Sequence, residues 1–381
     1  MHLGENMLPQ ELEIITSMLK QNHPAFLGEH QYEEKLPYLK LSEAEFDKKV
    51  EYLKDRISSY NDTQVNCALC SLFASLGDSH TMFFYPRSKP LDVGFIKCDR
   101  GVYLSKVDKD FEDKLLSRVI SIGGQDIEHL ISKAYKLIPS ETKEWSQYRA
   151  VKLLSDPEFL ALLGVKAGDT ISIKFADDTT EYSFPTKSNS VSMPKPLGNR
   201  YFYDVKNLNN IPIIRYGICK EGFGNWDNFL ADVNVIKQGS NVVVDLRSND
   251  GGDSAVFDKN IAAVLREKHC SGVALVDNGT FASGICAALS LKELGFKLVG
   301  ENMAQPLITY GSTMFFENVC GKYSFKVTTE LYNLKDAFNL PDNTTNRPDE
   351  LVSHTVLALQ EGRDLMLDRA VELCHAMGRE K

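Results

Sequence analysis

Residues 272–301 read GVALVDNGTFASGICAALSLKELGFKLVGE. An apolar run rich in valine closes at Asp277, a short polar turn follows, and a helical pattern runs from Ser283 to Gly295 before a second apolar run begins. Short apolar runs bounded by turn residues predict buried strands, and the apolar spacing between them predicts a helix. The same alternation extends outward. IPIIRYGICK (211–220) and NVVVDL (241–246) read as strands, with NWDNFLADVNVIK (225–237) as the helix between them. RSNDGGDS (247–254) is a glycine-containing turn that leads into the helical AVFDKNIAAVLREK (255–268). Alternating strands and helices predict an α/β layer with largely parallel pairing over residues 196–381.

Ser283 stands where a strand hands over to this buried helix. The helix is apolar nearly all round, through Ile285, Ala288, Leu289, Leu291 and Leu294. A serine at its N-terminus is either an N-cap or a nucleophile. Unpaired N–H groups and the positive dipole end would favour negative charge developing there. Two other segments bear on the choice. DLRSNDGG (245–252) ends a strand in two glycines, which let a backbone turn sharply and approach a ligand closely. The N–H groups of Gly251 or Gly252 could join that of Gly284 in an oxyanion hole. LGDSHT (76–81) places His80 just beyond a helix C-terminus, where the negative dipole end favours an imidazolium. A base that holds a proton briefly benefits from this.

Upstream, three amphipathic helices are expected within residues 1–90. Pro9 suits a first turn, with Leu12, Ile15 and Leu19 on one face. Ser42 and Glu45 form a capping-box pattern ahead of Phe46, Val50, Leu53 and Ile57. Val65, Leu69, Leu72, Phe73 and Leu76 mark the third helix, which should stop at Gly77. Residues 91–195 change texture. A hairpin around Asp99-Arg100-Gly101, a strand, Gly-Gly turn and helix over 118–138, and a hairpin over 170–184 fit a β-rich peptide-binding module of the PDZ type, followed by a polar linker at 187–199.

Composition narrows the function. The 381 residues carry a formal net charge of −9 and no basic block, which argues against nucleic acid as a partner. No stretch is long and apolar enough to be a signal or a membrane span. A complete chain would be cytoplasmic, and one trimmed of a signal extracytoplasmic. Eight cysteines sit mostly among apolar neighbours, and CALC (67–70) lacks the second pair a zinc site needs. Without an HExxH, P-loop or GxGxxG motif, neither a metal nor a nucleotide cofactor is expected.

Together these pieces resemble the tail-specific, or C-terminal-processing, serine peptidases, nearest their tricorn-core branch. The resemblance lies in LFASLGDSHT (72–81), VVVDLRSNDGGDS (242–254), VDNGTFASG (276–284), RPDELVSHTVLALQEGRDLMLDRAVEL (347–373) and MLKQNHPAFL (18–27). One design in that family pairs serine with a lysine. Here the corresponding region offers no lysine, and Pro306 falls near its place. The other uses serine, histidine and a carboxylate, with a serine beside the histidine. The resemblance therefore implies Ser283 as nucleophile, His80 as general base and Ser79 as its helper. It implies a carboxylate at Asp342, where the branch has a glutamate, with Glu350 and Glu330 as runners-up. It also implies a crotonase- or ClpP-like α/β catalytic core with a PDZ-like insert and a helical N-terminal region. The expected activity is hydrolysis of peptides or unfolded protein tails through an acyl-enzyme, without a cofactor and with room for a homo-oligomer. The contrasting expectation is a non-catalytic peptide- or ligand-binding protein on the same fold.

Overall fold

The structure, a computed structural model, describes residues 7–27, 42–193 and 202–379. The second half of the expected linker, 194–199, lies outside the described residues, as do His2 and His30. The chain forms two compact units. The first comprises residues 1–97, 101–193 and 308–333, and the second residues 98–100, 194–307 and 334–381. Among the described residues no helix is long and apolar enough to cross a membrane.

Three helices open the first unit: Pro9–Asn22, Glu43–Lys54 and Asp62–Ala74. Each begins where its sequence says it should. Pro9 occupies the first turn, and Ser42 and Glu45 close a reciprocal capping box. Asn61 caps the third helix by accepting the Gln64 N–H at 3.0 Å. That helix ends at Ala74, and Gly77 then takes a left-handed φ of 68°. Cys67 and Cys70 both lie within it as free thiols, and burial pushes the Cys70 thiol far up.

The helices pack their apolar faces against a sheet that the sequence reading did not anticipate. Strand Met82–Phe84 pairs antiparallel with Tyr323–Asn333, which pairs in turn with Ile308–Val319. Phe325 and Val327 are fully buried with Leu12, Leu69 and Phe73 in one core. The rest of the first unit is built from short strands. Gly94–Cys98 neighbours Gly101–Asp108, and Thr170–Phe175 forms a hairpin with Glu181–Pro185. Val119–Ile122 turns through Gly123 and Gly124, both at positive φ, into helix Ile127–Ala134. Two further helices, Lys143–Leu153 and Pro157–Leu162, fill the interval before the second hairpin.

The second unit is a six-stranded sheet. Its order is Tyr203–Leu208, Ile211–Tyr216, Asn241–Asp245, Ser271–Val276, Lys297–Gly300 and Glu350–Leu351. Only the first pair is antiparallel. Strands laid down successively in one direction, each joined by a right-handed crossover, put all the connecting helices on one face. Accordingly Trp226, Phe229, Phe257, Leu265, Ile285 and Leu289 pack over Ile214, Val244, Ala274 and Leu298. The alternate residues Ile213, Val243, Val273 and Val299 face the C-terminal helix Leu365–Arg379 through Met366, Leu367, Ala370 and Cys374. With helices on both faces, the strands can be apolar throughout, as NVVVD is.

Candidate active site

Ser283 is the first residue of helix Ser283–Glu293. The capping position belongs instead to Ala282, which makes no side-chain cap and sits at φ 49°, ψ −121°. A non-glycine residue there stores about 1–3 kcal/mol of strain. The turn survives because its surroundings fix it: Phe281 N–H donates to the Asn249 carbonyl at 2.9 Å and Ala282 N–H to Gln305 Oε1 at 3.1 Å. The result is a sharp strand-to-helix turn that lifts Ser283 clear of the cap. Its hydroxyl donates to the Gly252 carbonyl at 2.7 Å.

Gly252 belongs to the turn at the end of strand Asn241–Asp245. Its φ of 135°, and a Cβ position only 2.1 Å from the Cys219 carbonyl oxygen, exclude any larger residue without displacement. Asn249 organises the turn from within, its side chain donating to the Tyr216 carbonyl and accepting the Gly251 N–H, at 2.8 and 2.9 Å. Below it Asp245 bonds Arg247, which reaches Asp364 at 2.9 Å. Burial opposes the Asp245 charge, but Arg247 and Arg215 outweigh it and hold the carboxyl at about 2. Of the three N–H groups expected to form an oxyanion hole, those of Gly251 and Gly284 are engaged, the latter with the Phe281 carbonyl at 2.8 Å. The N–H groups of Gly252 and Ser283 make no hydrogen bond to the described residues. They are the donors open to a developing oxyanion. A cavity of about 530 Å³ adjoins Gly252, lined among others by Ile218, Lys220, Asp253 and Val256.

His80 lies in the first unit, in a segment where Asp78, Ser79, His80 and Thr81 are all buried. Burial lowers its pKa to about 4, with the Lys326 ammonium adding to that effect. Asp78 and a hydrogen bond to the Tyr310 backbone carbonyl work in the opposite direction. The imidazole is therefore neutral at pH 7, the form that accepts a proton. Ser79 turns away to a different partner, its hydroxyl and N–H both bonding Glu141.

The sequence reading missed three residues here. Asp78 accepts the backbone N–H of His80 at 2.8 Å and lies 3.3 Å from His23 Nε2, with both side chains fully buried. Glu141, also bonded by Thr309 at 3.3 Å, is raised to about 7 by burial and by the neighbouring Asp78 charge. Donor atoms of Asp78, His80 and Glu141 lie within 4.8 Å of one another. A cation could span that distance, and the Lys326 side chain interacts with Asp78 in the same cluster. The only local signal was the aspartate two residues before the histidine. His23 and Glu141 lie 55 and 63 positions from Asp78, and although His23 falls within MLKQNHPAFL (18–27), nothing in that stretch points to Asp78.

The carboxylates expected behind His80 have other surroundings. Asp342 is exposed in the second unit, where its backbone carbonyl accepts from Lys335 and its carboxylate makes no hydrogen bond or ion pair among the described residues. Glu350 is held by Arg369 at 2.6 and 3.2 Å. Glu330 lies exposed in strand Tyr323–Asn333.

No family model and no curated protein sequence matches the chain. Solved structures do. Mature CPAF complexed with lactacystin superimposes with a TM-score of 0.65, covering 97% of this chain and 98% of that one at 11% identity. Mature CPAF superimposes at 0.63, covering 93% and 94% at 12% identity. Tricorn protease covers 97% of this chain and 36% of that longer one, at 13% identity and a TM-score of 0.46. At such identities it is the fold that is shared: this chain has the mixed α/β fold of mature CPAF.

Proposed function

We propose that this protein is a serine peptidase that cuts peptides or unfolded protein tails through an acyl-enzyme, with Ser283 as nucleophile and His80 as general base. The observation that carries this reading is the Ser283 turn. A strained Ala282 sets the serine at the start of a buried helix, beside two N–H groups that make no hydrogen bond among the described residues. The Ser283 Oγ–H bond passes its proton to His80 as Oγ attacks the scissile carbonyl, and the Gly252 and Ser283 N–H groups hold the oxyanion. His80 then gives the proton to the leaving amine. Water, deprotonated by the same imidazole, resolves the ester.

The finer architecture follows the same reading. The parallel sheet of the second unit supports a crotonase- or ClpP-like catalytic core within 196–381, without the 308–333 hairpin, and the short hairpins within 91–195 support a PDZ-like module beside a helical region at 1–90. The cavity beside Gly252 suits a substrate side chain. Lactacystin, present in one CPAF complex, is a candidate ligand here.

A fluorophosphonate probe tests the assignment. The wild-type chain is expected to be labelled at Ser283, Ser283→Ala to be silent, and lactacystin to compete. Equal labelling of Ser283→Ala would overturn the nucleophile. An unlabelled wild type would favour the non-catalytic binding protein.

A further inference from the structure

We propose that Asp78, held in place by His23, is the carboxylate that positions His80 and balances its charge, and that Asp342 is not required. This rests on the peptidase reading above. The placement is unusual in sequence, since Asp78 precedes the histidine by two residues, and its two oxygens divide the work. Oδ1 accepts the His80 N–H at 2.8 Å and so fixes the backbone that carries the imidazole. Oδ2 faces His23 Nε2 at 3.3 Å, an electrostatic contact rather than an aligned hydrogen bond. The His23 proton is directed there because Nδ1 is occupied, accepting the Ala25 N–H at 3.2 Å. The His23 ring itself packs against Tyr310, 4.9 Å between centroids. Tyr310 supplies the carbonyl that orients the His80 ring. One aromatic and one carboxylate thus tie the end of the first helix to the histidine.

The basic groups around Asp78 support its being the ionised member. His23 and His80 favour its carboxylate, Lys326 lies close enough to interact with it, and Thr81 bonds it. Burial opposes the charge but does not prevail, and its pKa lies below the usual carboxylate range. Glu141 is pushed the other way, up to about 7. Two buried carboxyls whose surroundings drive them apart divide into one anion and one acid. The anion is the one that accepts the His80 N–H, while the acid is bonded by Ser79. As imidazolium forms, it faces Asp78 without any group having to move in.

The test uses the full chain and the second-order rate of fluorophosphonate labelling between pH 3.5 and 9. Asp78→Asn should slow labelling about 100-fold or more, the lower end of what general acid–base catalysis contributes. It should also move the acid-side midpoint, near 4 in the wild type, to lower pH, because a negative neighbour that favours imidazolium is gone. A purely structural role would lower the rate and leave the midpoint in place. His23→Gln retains an N–H donor for Asp78 and should stay within about threefold, while His23→Leu should lose about tenfold. That pair decides the matter if Asp78→Asn does not fold. Asp342→Asn should change the rate less than twofold. The proposal is overturned if Asp78→Asn keeps the wild-type rate and midpoint, if the two His23 variants behave alike, or if Asp342→Asn is as slow as His80→Ala. A wild type that resists the probe defeats the peptidase reading itself, whereas a labelled wild type indifferent to Asp78 defeats only this assignment.

Discussion

At the scale of single residues, the serine and histidine proposed to carry the chemistry were visible in the sequence, and the groups around them were not. Ser283 announced itself by standing at a strand–helix join, but position alone could not separate a cap from a nucleophile. The backbone removes the first option, because Ala282 takes the cap position and leaves the serine hydroxyl to Gly252. Glu141 was invisible for a different reason. In PSET (139–142) it reads as part of a helix-capping turn, and only its burial beside Asp78 gives it weight. That burial has a measurable consequence. The Glu141 carboxyl is raised from 4.5 to about 7, mainly by burial. A group raised in this way contributes stability that is fully present below the unfolded pKa and is lost as pH climbs through the folded one. The Glu141 contribution should therefore be lost between about pH 5 and 8, with Glu301, raised similarly, acting the same way, while His80, lowered to about 4, acts against them. Glu141→Gln should make stability at pH 8 more favourable relative to pH 5 than in the wild type, read as the difference between the urea midpoints at the two pH values. An unchanged difference would mean Glu141 is ionised or solvated in the folded chain.

At the scale of elements, legibility followed the range of the interaction that defines each element. Helix caps and apolar stripes are local, and the first three helices begin where Pro9, Ser42 and Asn61 place them. The valine-rich strands were equally plain because both of their faces are covered. The long hairpin Ile308–Val319 and Tyr323–Asn333 was not read at all. Its first strand is interrupted by Ser312 and Asn318 at positive φ and by a register shift after Phe316, which blur the two-residue alternation. Its partner, Met82–Phe84, is too distant in sequence to suggest it. The glycine turn was legible as a turn, while the reason for its second glycine is long-range. Gly252 lies against the Cys219 backbone, so Gly252→Ala must push two chain segments apart at a φ of 135°. We expect a loss of about 2 kcal/mol or more. Fluorophosphonate labelling should fall further than that loss of folded protein explains, because the displaced turn also carries the acceptor of the Ser283 hydroxyl. A variant of wild-type stability and labelling rate would show that the turn relaxes freely.

At the scale of the whole molecule, the chain leaves its second unit at residue 307 and returns at 334, having built a hairpin that belongs to the first. Sequence order could not reveal this, since 308–333 lies inside a stretch that otherwise reads as continuous α/β core. The point of departure and the point of return are adjacent: Leu334 N–H donates to the Leu307 carbonyl at 2.8 Å. Closing a short loop between residues already in contact costs little entropy. A chain of residues 194–381 with 308–333 replaced by a few glycines and serines should therefore fold alone, because its sheet and both helix layers are drawn from what remains. Residues 1–193 alone should not. They lack the strand that pairs Met82–Phe84 and the buried Phe325 and Val327 that fill the core under the three helices. Losing two such side chains from a core costs about 5 kcal/mol or more, comparable with the whole stability of a domain. Circular dichroism and urea melts of the two fragments read the difference. The second-unit fragment should give a cooperative transition, and residues 1–193 should gain one only when a 308–333 peptide is supplied. Cooperative unfolding of 1–193 without the peptide would show that the hairpin decorates the first unit rather than completing it.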